Sequence, residues 1–176
     1  MTNCVLWNGG NEIANQDDSE ITVTFSTVQE GHPGEGNLDA DPCFARRGRW
    51  DPNGTSDDPS DGIWVDGDYH LKSQARRWDP IGESWVQDDV TSPCIDAGDP
   101  NSPIGYEPFP NGGRINMGAY GGTAEASKSY FGEPVCETPI AGDINGDCRV
   151  DFEDFKILAL HWMAGVPVPP PPNLNP

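Results

Sequence analysis

Residues 31–135 leave no room for a long strand or helix, because Gly, Pro, Asp and Asn interrupt them every few positions. Gly31-His32-Pro33-Gly34-Glu35-Gly36-Asn37, Asp51-Pro52-Asn53-Gly54 and Asp57-Asp58-Pro59-Ser60-Asp61-Gly62 are turn sequences, with φ fixed at proline or free to become positive at glycine. Short apolar runs stand between them: Ile63-Trp64-Val65, Tyr69-His70-Leu71 and Ser84-Trp85-Val86. The stretch reads as short strands joined by long loops. Gly and Pro contribute 21 and 18 residues, yet six Trp, six Phe and four Tyr supply core material that disordered chains lack. The apolar fraction, 35%, is below the ~45–50% usual for globular domains. Bound cations or disulfides are therefore expected to help hold the fold.

The flanking stretches differ. Residues 1–30 read as strands separated by turns: Cys4-Val5-Leu6-Trp7, a turn at Asn8-Gly9-Gly10-Asn11, Glu12-Ile13-Ala14-Asn15, and the alternating run Ile21-Thr22-Val23-Thr24-Phe25-Ser26-Thr27-Val28. The strand near Cys4 and the one near Thr24 are about 20 residues apart, the length of one coil of a parallel β-helix, where each turn buries its face on the next. Residues 136–165 comprise a linker, a polar loop from Asp143 to Asp154, and an amphipathic run from Phe152 to Met163 that predicts a helix of about three turns. Gly165 and Pro167 are expected to stop it. Residues 166–176 form a Pro-rich tail of polyproline II character.

Ten Lys and Arg face 29 Asp and Glu, a net charge of −19. That excludes roles built on phosphate contacts, so no nucleic-acid partner is expected, and docking on anionic lipid is excluded likewise. No run approaches the ~20 apolar residues needed to span a bilayer, so no membrane insertion is expected. Met1-Thr2-Asn3-Cys4-Val5-Leu6 lacks the basic region and apolar core of a signal peptide.

Five cysteines, at 4, 43, 94, 136 and 148, show no metal-cluster spacing. Cys43 and Cys94 each follow a proline, and Cys136 and Cys148 bracket a short acidic loop. We expect disulfides 43–94 and 136–148, with Cys4 a buried free thiol; five reduced, packed cysteines are the alternative.

The sharpest chemistry is Asp143-Ile144-Asn145-Gly146-Asp147-Cys148-Arg149-Val150-Asp151-Phe152-Glu153-Asp154. Oxygen-bearing side chains stand at loop positions 1, 3, 5, 9 and 12, and position 7, Arg149, offers its backbone carbonyl; this is the donor pattern of a Ca2+ loop. Carboxylates so close repel one another unless a cation neutralises them. Position 6 is Cys148 where glycine is usual, and position 12 is Asp154 in place of a longer Glu. An Asx-rich turn capping the helix through Asp151 is the alternative.

Residues 142–158 resemble a type I dockerin repeat, a family whose loops bind Ca2+ and dock onto cohesin modules. The resemblance implies Asp143, Asn145, Asp147, Arg149, Asp151 and Asp154 as ligands and a cohesin-like module as partner. Dockerins carry two such repeats; this chain has one, and Phe152 and Glu153 stand where a small hydroxyl pair is usual.

Asn3-Cys4-Val5-Leu6-Trp7, Gly36-Asn37-Leu38-Asp39-Ala40-Asp41-Pro42, Ser92-Pro93-Cys94-Ile95-Asp96-Ala97-Gly98-Asp99-Pro100 and Asn116-Met117-Gly118-Ala119-Tyr120-Gly121-Gly122 resemble the C-terminal coils and closing segment of right-handed parallel β-helix proteins of pectate-lyase-like type. That implies a mostly β chain: terminal coils over 1–30, a loop-rich closing segment over 31–135, and the half-dockerin over 136–165. It also implies a monomer at the cell surface or outside the cell, a polysaccharide partner, and a truncated reading frame.

No catalytic constellation is expected. Asp66, Asp68, His70 and Lys72 are the nearest candidates, but the two Asp flank a glycine turn and His70 sits between Tyr69 and Leu71 as a structural histidine would. Arg46, Arg47, Arg49, Arg76 and Arg77 are expected to pair with nearby Asp. Trp50, Trp64, Trp78 and Trp85 are expected to form core, with sugar stacking the alternative. The expected function is therefore a non-catalytic, carbohydrate-associated region that Ca2+ attaches or caps. A polysaccharide lyase or glycoside hydrolase, and a surface adhesin, are the rival readings.

Overall fold

The computed structural model describes residues 1–10, 12–17, 19–53, 61–132, 140–145 and 148–162, His161 in its backbone alone. Its elements are β1 (Val5–Leu6), β2 (Thr27–Val28), β3 (Phe44–Arg46), β4 (Arg49–Asp51), β5 (Ile63–Val65), β6 (Asp68–Leu71), β7 (Arg77–Asp79), β8 (Ser84–Val86) and α1 (Phe152–His161). The chain is mostly β: among the described residues the strands form four two-stranded sheets, with one short helix.

β1 and β2 run parallel, and every rung joins residues 22 apart: Thr2 with Thr24, Val5 with Thr27, Leu6 with Val28. A further parallel bridge ties Thr27 to Leu38. Asn37 secures that arc with its side chain, accepting from the Ser26 N–H at 3.1 Å and donating to the Val23 carbonyl at 2.9 Å. The strand expected over residues 21–28 is reduced to Thr27–Val28. Phe25 takes a φ of +44°, a conformation foreign to strands, and its ring then lies on Gly36, where a Cβ would meet it at 2.2 Å.

β3 to β6 form one bent hairpin. β3 pairs with β6 and β4 with β5, both antiparallel, and the bend falls at Arg47-Gly48 opposite Asp66-Gly67. The two chains nearly touch there: a Cβ on Gly67 would stand 2.4 Å from the Arg46 carbonyl oxygen and 2.5 Å from the Gly48 nitrogen.

β7 and β8 form a second hairpin that repeats the outer half of the first. In one, Arg49, Trp50 and Asp51 face Val65, Trp64 and Ile63; in the other, Arg77, Trp78 and Asp79 face Val86, Trp85 and Ser84. Each tryptophan pair meets edge to face at 5.7 Å, the geometry favoured by the ring quadrupoles.

The apolar core is small. Leu71, Cys94, Ile95 and Met117 form its centre, with Val5, Phe25, Leu38, Phe44 and Ala97 packed around them. Ser26, Thr27, His70, Ser73, Ser92, Asn116, Ser127 and Ser129 are buried as well, so hydrogen bonds share the work of packing. Ser127 donates to the Leu71 carbonyl at 2.6 Å and Ser73 to the Lys128 carbonyl at 2.6 Å. Segments 92–100 and 116–122 lie side by side through Met117 N–H to Cys94 carbonyl, 2.9 Å, and Asn3 ties both to the stretch just before β1 by accepting from Asp99 and Gly118.

Several expectations are corrected here. Trp50 is 69% exposed and Trp64 43%, so this pair is not core; a cross-strand pair on a hairpin that no second layer covers among the described residues stays at the surface. Cys43 and Cys94 are free thiols, not a disulfide. Cys94 instead lies fully buried with its sulfur 3.0 Å from the Thr27 hydroxyl, while Cys43 donates to the Asp41 carbonyl at 3.4 Å. Cys4 is free as expected, but half-buried. Cys148 is disulfide-bonded; Cys136, its expected partner, lies outside the described residues. The helix ends at His161, before the Gly165 and Pro167 expected to stop it, which also lie outside them.

Candidate functional site

The acidic loop closes on itself through its first and last carboxylates. Asp143 and Asp154 are each 3% exposed, whereas Val150, Phe152 and Phe155 beside them are 57%, 87% and 62% exposed. Burying carboxylates in preference to apolar side chains reverses the usual order. The reason is local: Asp154 accepts from the N–H groups of Ile144 at 2.6 Å, Asn145 at 3.1 Å and Asp151 at 2.8 Å, and Asp143 accepts from Cys148 N–H at 2.9 Å. Burial pushes the Asp154 carboxyl up, but the backbone donors at Asp151, Asn145 and Ile144 outweigh it and hold it below the usual carboxylate range.

α1 starts inside the loop. Asp151 is its N-cap, accepting from Glu153 N–H at 2.9 Å, and Asp154 completes a capping box. Cys148, at the position where glycine is usual, adopts a φ of +65°. The backbone keeps the left-handed turn that such loops require, at a cost of about 1–2 kcal/mol for a residue with a Cβ.

Of the six residues expected as ligands, Asn145 and Asp151 reach the Asp154 carboxylate through their backbone N–H groups, Asp143 accepts from Cys148 next to Arg149, and Asp147 lies outside the described residues. Among the described residues no group of three or more His, Cys, Asp or Glu side chains is placed to hold a metal ion. The donor set is all oxygen, as a hard cation requires. In donor chemistry the residues present therefore fit Ca2+.

Among the described residues α1 packs against none of the strands. Phe152, Phe155, Leu160 and Trp162 are between 62% and 87% exposed, so its apolar residues stay open among the described residues.

His70 is fully buried. Its Nδ1 lies 2.6 Å from Asp68 Oδ1, its Nε2 3.4 Å from Glu125 Oε2, and its ring stacks on Tyr120 at 3.6 Å. Asp68 also meets Arg77 at 3.4 Å, and Arg77 reaches Asp88 at 3.2 Å. The arrangement is a buried structural knot, and the arginine pairing expected from sequence holds at Arg77, at Arg47 with Asp41 (2.6 Å) and at Arg49 with Asp51 (3.9 Å).

Sequence reasoning missed a surface groove of about 970 Å³, walled by Trp7, Phe44, Trp50, Trp64 and Tyr69 and edged by Asn8, Glu12, Gln29, Arg47 and Arg49. A signal for it was present: Arg49-Trp50-Asp51-Pro52-Asn53-Gly54 is matched by Arg77-Trp78-Asp79-Pro80-Ile81-Gly82. A duplicated hairpin with tryptophans at matching positions is more than chance core material.

The family model described as "Disaggregatase related" matches residues 35–98, a stretch that runs from the second arc of the parallel ladder through both tryptophan hairpins to Gly98. No curated protein matches the chain, and no solved structure does.

Proposed function

We propose that this chain is the non-catalytic closing region of a right-handed parallel β-helix in an exported, carbohydrate-associated protein, ending in a Ca2+-dependent, dockerin-like loop and helix that attaches or caps it. The observation that carries the reading is the constant 22-residue stagger of Thr2 with Thr24, Val5 with Thr27 and Leu6 with Val28 in parallel, the spacing at which one coil of such a helix stacks on the next.

In the loop, Asp143, Asn145, Asp147, Asp151 and Asp154 would hold the ion with the Arg149 carbonyl. Bound Ca2+ supplies the positive charge that lets these carboxylates converge. The chain supplies the rest. Asp151 and Asp154 fix the start of α1 through the capping box, and Cys148 turns the backbone between positions 5 and 7. Organised in this way, α1 presents Phe152, Phe155, Leu160 and Trp162 outward, an apolar surface suited to a cohesin-like module.

The test is far-UV circular dichroism and thermal unfolding with and without millimolar Ca2+. The wild-type chain gains helicity and melting temperature on adding Ca2+, and Asp143→Ala combined with Asp147→Ala abolishes both gains. A wild-type chain indifferent to Ca2+ overturns the loop assignment. Retention on a cohesin array, lost with the same double substitution, tests attachment.

A further inference from the structure

The two tryptophan hairpins are built alike and end differently. In the second, Lys128 lies over the Trp85 ring at 4.6 Å, and both Trp78 and Trp85 are half-buried. In the first, among the described residues no cation lies over Trp50 or Trp64, and the pair borders the open groove, 69% and 43% exposed. Exposed aromatic surface rimmed by polar groups marks a binding site more often than a bare surface.

The groove wall is also prepared. A Cβ on Gly48 would meet Trp64 Cζ2 at 2.3 Å and the Tyr69 hydroxyl at 2.7 Å, so both side chains rest directly on the glycine backbone. Tyr69 meets Phe44 edge to face at 5.4 Å. Rings held this way lose little freedom when a ligand covers them.

We propose that this groove binds a neutral polysaccharide chain, with Trp50 and Trp64 stacking on the apolar faces of successive sugar rings. The proposal deepens the carbohydrate-associated part of the function argued above and rests on that part alone, with no use of the Ca2+ loop. Planar, amphipathic sugar faces match tryptophan in a way that compact side chains do not, and Asn8, Gln29 and Glu12 at the edge offer donors and acceptors to hydroxyls.

Charge decides the class of sugar. The positive charge of Arg47 and Arg49 at the groove is offset in part, by Asp41 at 2.6 Å and more loosely by Asp51 at 3.9 Å, both pairs solvent-exposed. Glu12 adds a carboxylate to the same lining. The whole chain carries −19, so a polyanion approaching it meets repulsion that reaches about one Debye length, ~8 Å at physiological salt. A neutral chain meets none.

Native gel electrophoresis of the full chain through soluble neutral polymers (xyloglucan, galactomannan and mixed-linkage glucan) and uronate polymers (polygalacturonate and alginate) tests this. Retardation is expected in at least one neutral polymer and not in the uronates. Trp50→Ala weakens it at least about tenfold while the melting temperature is kept, because that side chain is 69% exposed. Trp64→Ala weakens it as much and lowers the melting temperature as well, because more than half of its side chain is covered. Gly48→Ala, which displaces Trp64, weakens it as well, and Trp78→Ala at the covered pair leaves it intact. Absence of retardation in every neutral polymer, stronger retardation in a uronate polymer, or retardation that survives Trp50→Ala overturns the proposal. Asp143→Ala is run alongside. A chain that answers Ca2+ but retards in no polymer loses the groove and keeps the loop, and a chain that retards without a Ca2+ response does the reverse.

Discussion

His70 lies flat against Tyr120, the ring centroids 3.6 Å apart and the planes within 14° of parallel. The stack joins β6 to the segment around Gly118–Gly122, two stretches 50 residues apart in sequence, and Asp68 Oδ1 lies 2.6 Å from the imidazole Nδ1.

His70→Ala removes a fully buried ring and leaves Tyr120 without its neighbour. We expect a loss of about 2–4 kcal/mol in urea unfolding, in the range of buried large-to-small substitutions. Tyr120→Phe keeps the stack and is expected to cost under about 1 kcal/mol. Similar losses for both would show that ring packing is not what holds this contact.

Glu107 sets a pH dependence. Its Oε1 accepts from Asn116 and Gly122 N–H groups at 2.8 Å each, while Oε2 is buried without a hydrogen-bond partner. Burial pushes the carboxyl above its usual range despite those two donors. A carboxyl raised in the folded state binds its proton more tightly there than in the unfolded chain. Its contribution to stability is therefore fully present below the unfolded value, near 4.5, and is lost as pH rises through the raised folded value. Glu107→Gln cannot ionise, so its stability relative to wild type should increase between pH 4 and pH 7.5 in urea unfolding. An unchanged difference would remove Glu107 as the cause.

Alkylation under denaturing, non-reducing conditions followed by peptide mapping should find Cys4, Cys43 and Cys94 modified and Cys148 protected in its disulfide. In the folded chain Cys94 should react last. It is fully buried, and burial, stronger than its hydrogen bonds to Thr27 and Ser92, pushes the thiol up and starves it of thiolate. Unmodified Cys43 and Cys94 would mean that the two are bonded after all.

Glycine matters at the bend of the long hairpin. Gly67→Ala drives a methyl into the Arg46 carbonyl and the Gly48 nitrogen, backbone atoms that cannot swing aside, and should destabilise by about 1–3 kcal/mol. Gly82→Ala in the second hairpin meets only the Asp79 and Ser84 side chains, at 2.9 and 3.1 Å, and should change stability by about 0.5 kcal/mol or less. Equal effects would place the strain elsewhere.

The turn sequences of residues 31–135 announced the short strands and hairpins, because Pro and Gly impose backbone angles that no tertiary contact needs to reinforce. The stagger near 20 residues was also visible, since Val5 and Thr27 must face the same core. What sequence could not reveal depended on third parties. Trp64 and Trp85 sit in matching local settings, but only one hairpin has Lys128 beside it. Cys43 and Cys94 both follow proline, yet Thr27 and Asp41, far away or on the same turn, decide what each sulfur meets. Phe25 lost its place in a strand to a contact with Gly36, which alternation alone does not encode. In the acidic loop, spacing identified Asp143 and Asp154; that these two would be the buried ones followed from the backbone donors around them.

A ladder whose rungs are all 22 residues long restricts how such a chain can change in length. An extra residue between Asn8 and Glu20, where the arc is mostly exposed, can bulge into solvent and leave Val5 opposite Thr27. The same insertion between Thr2 and Leu6 shifts every later partner by one and turns inward side chains outward, because strand neighbours point to opposite faces. Changes of length are therefore expected in the arc between Asn8 and Glu20, and an insertion placed there should cost far less stability than one placed among the paired residues from Thr2 to Leu6.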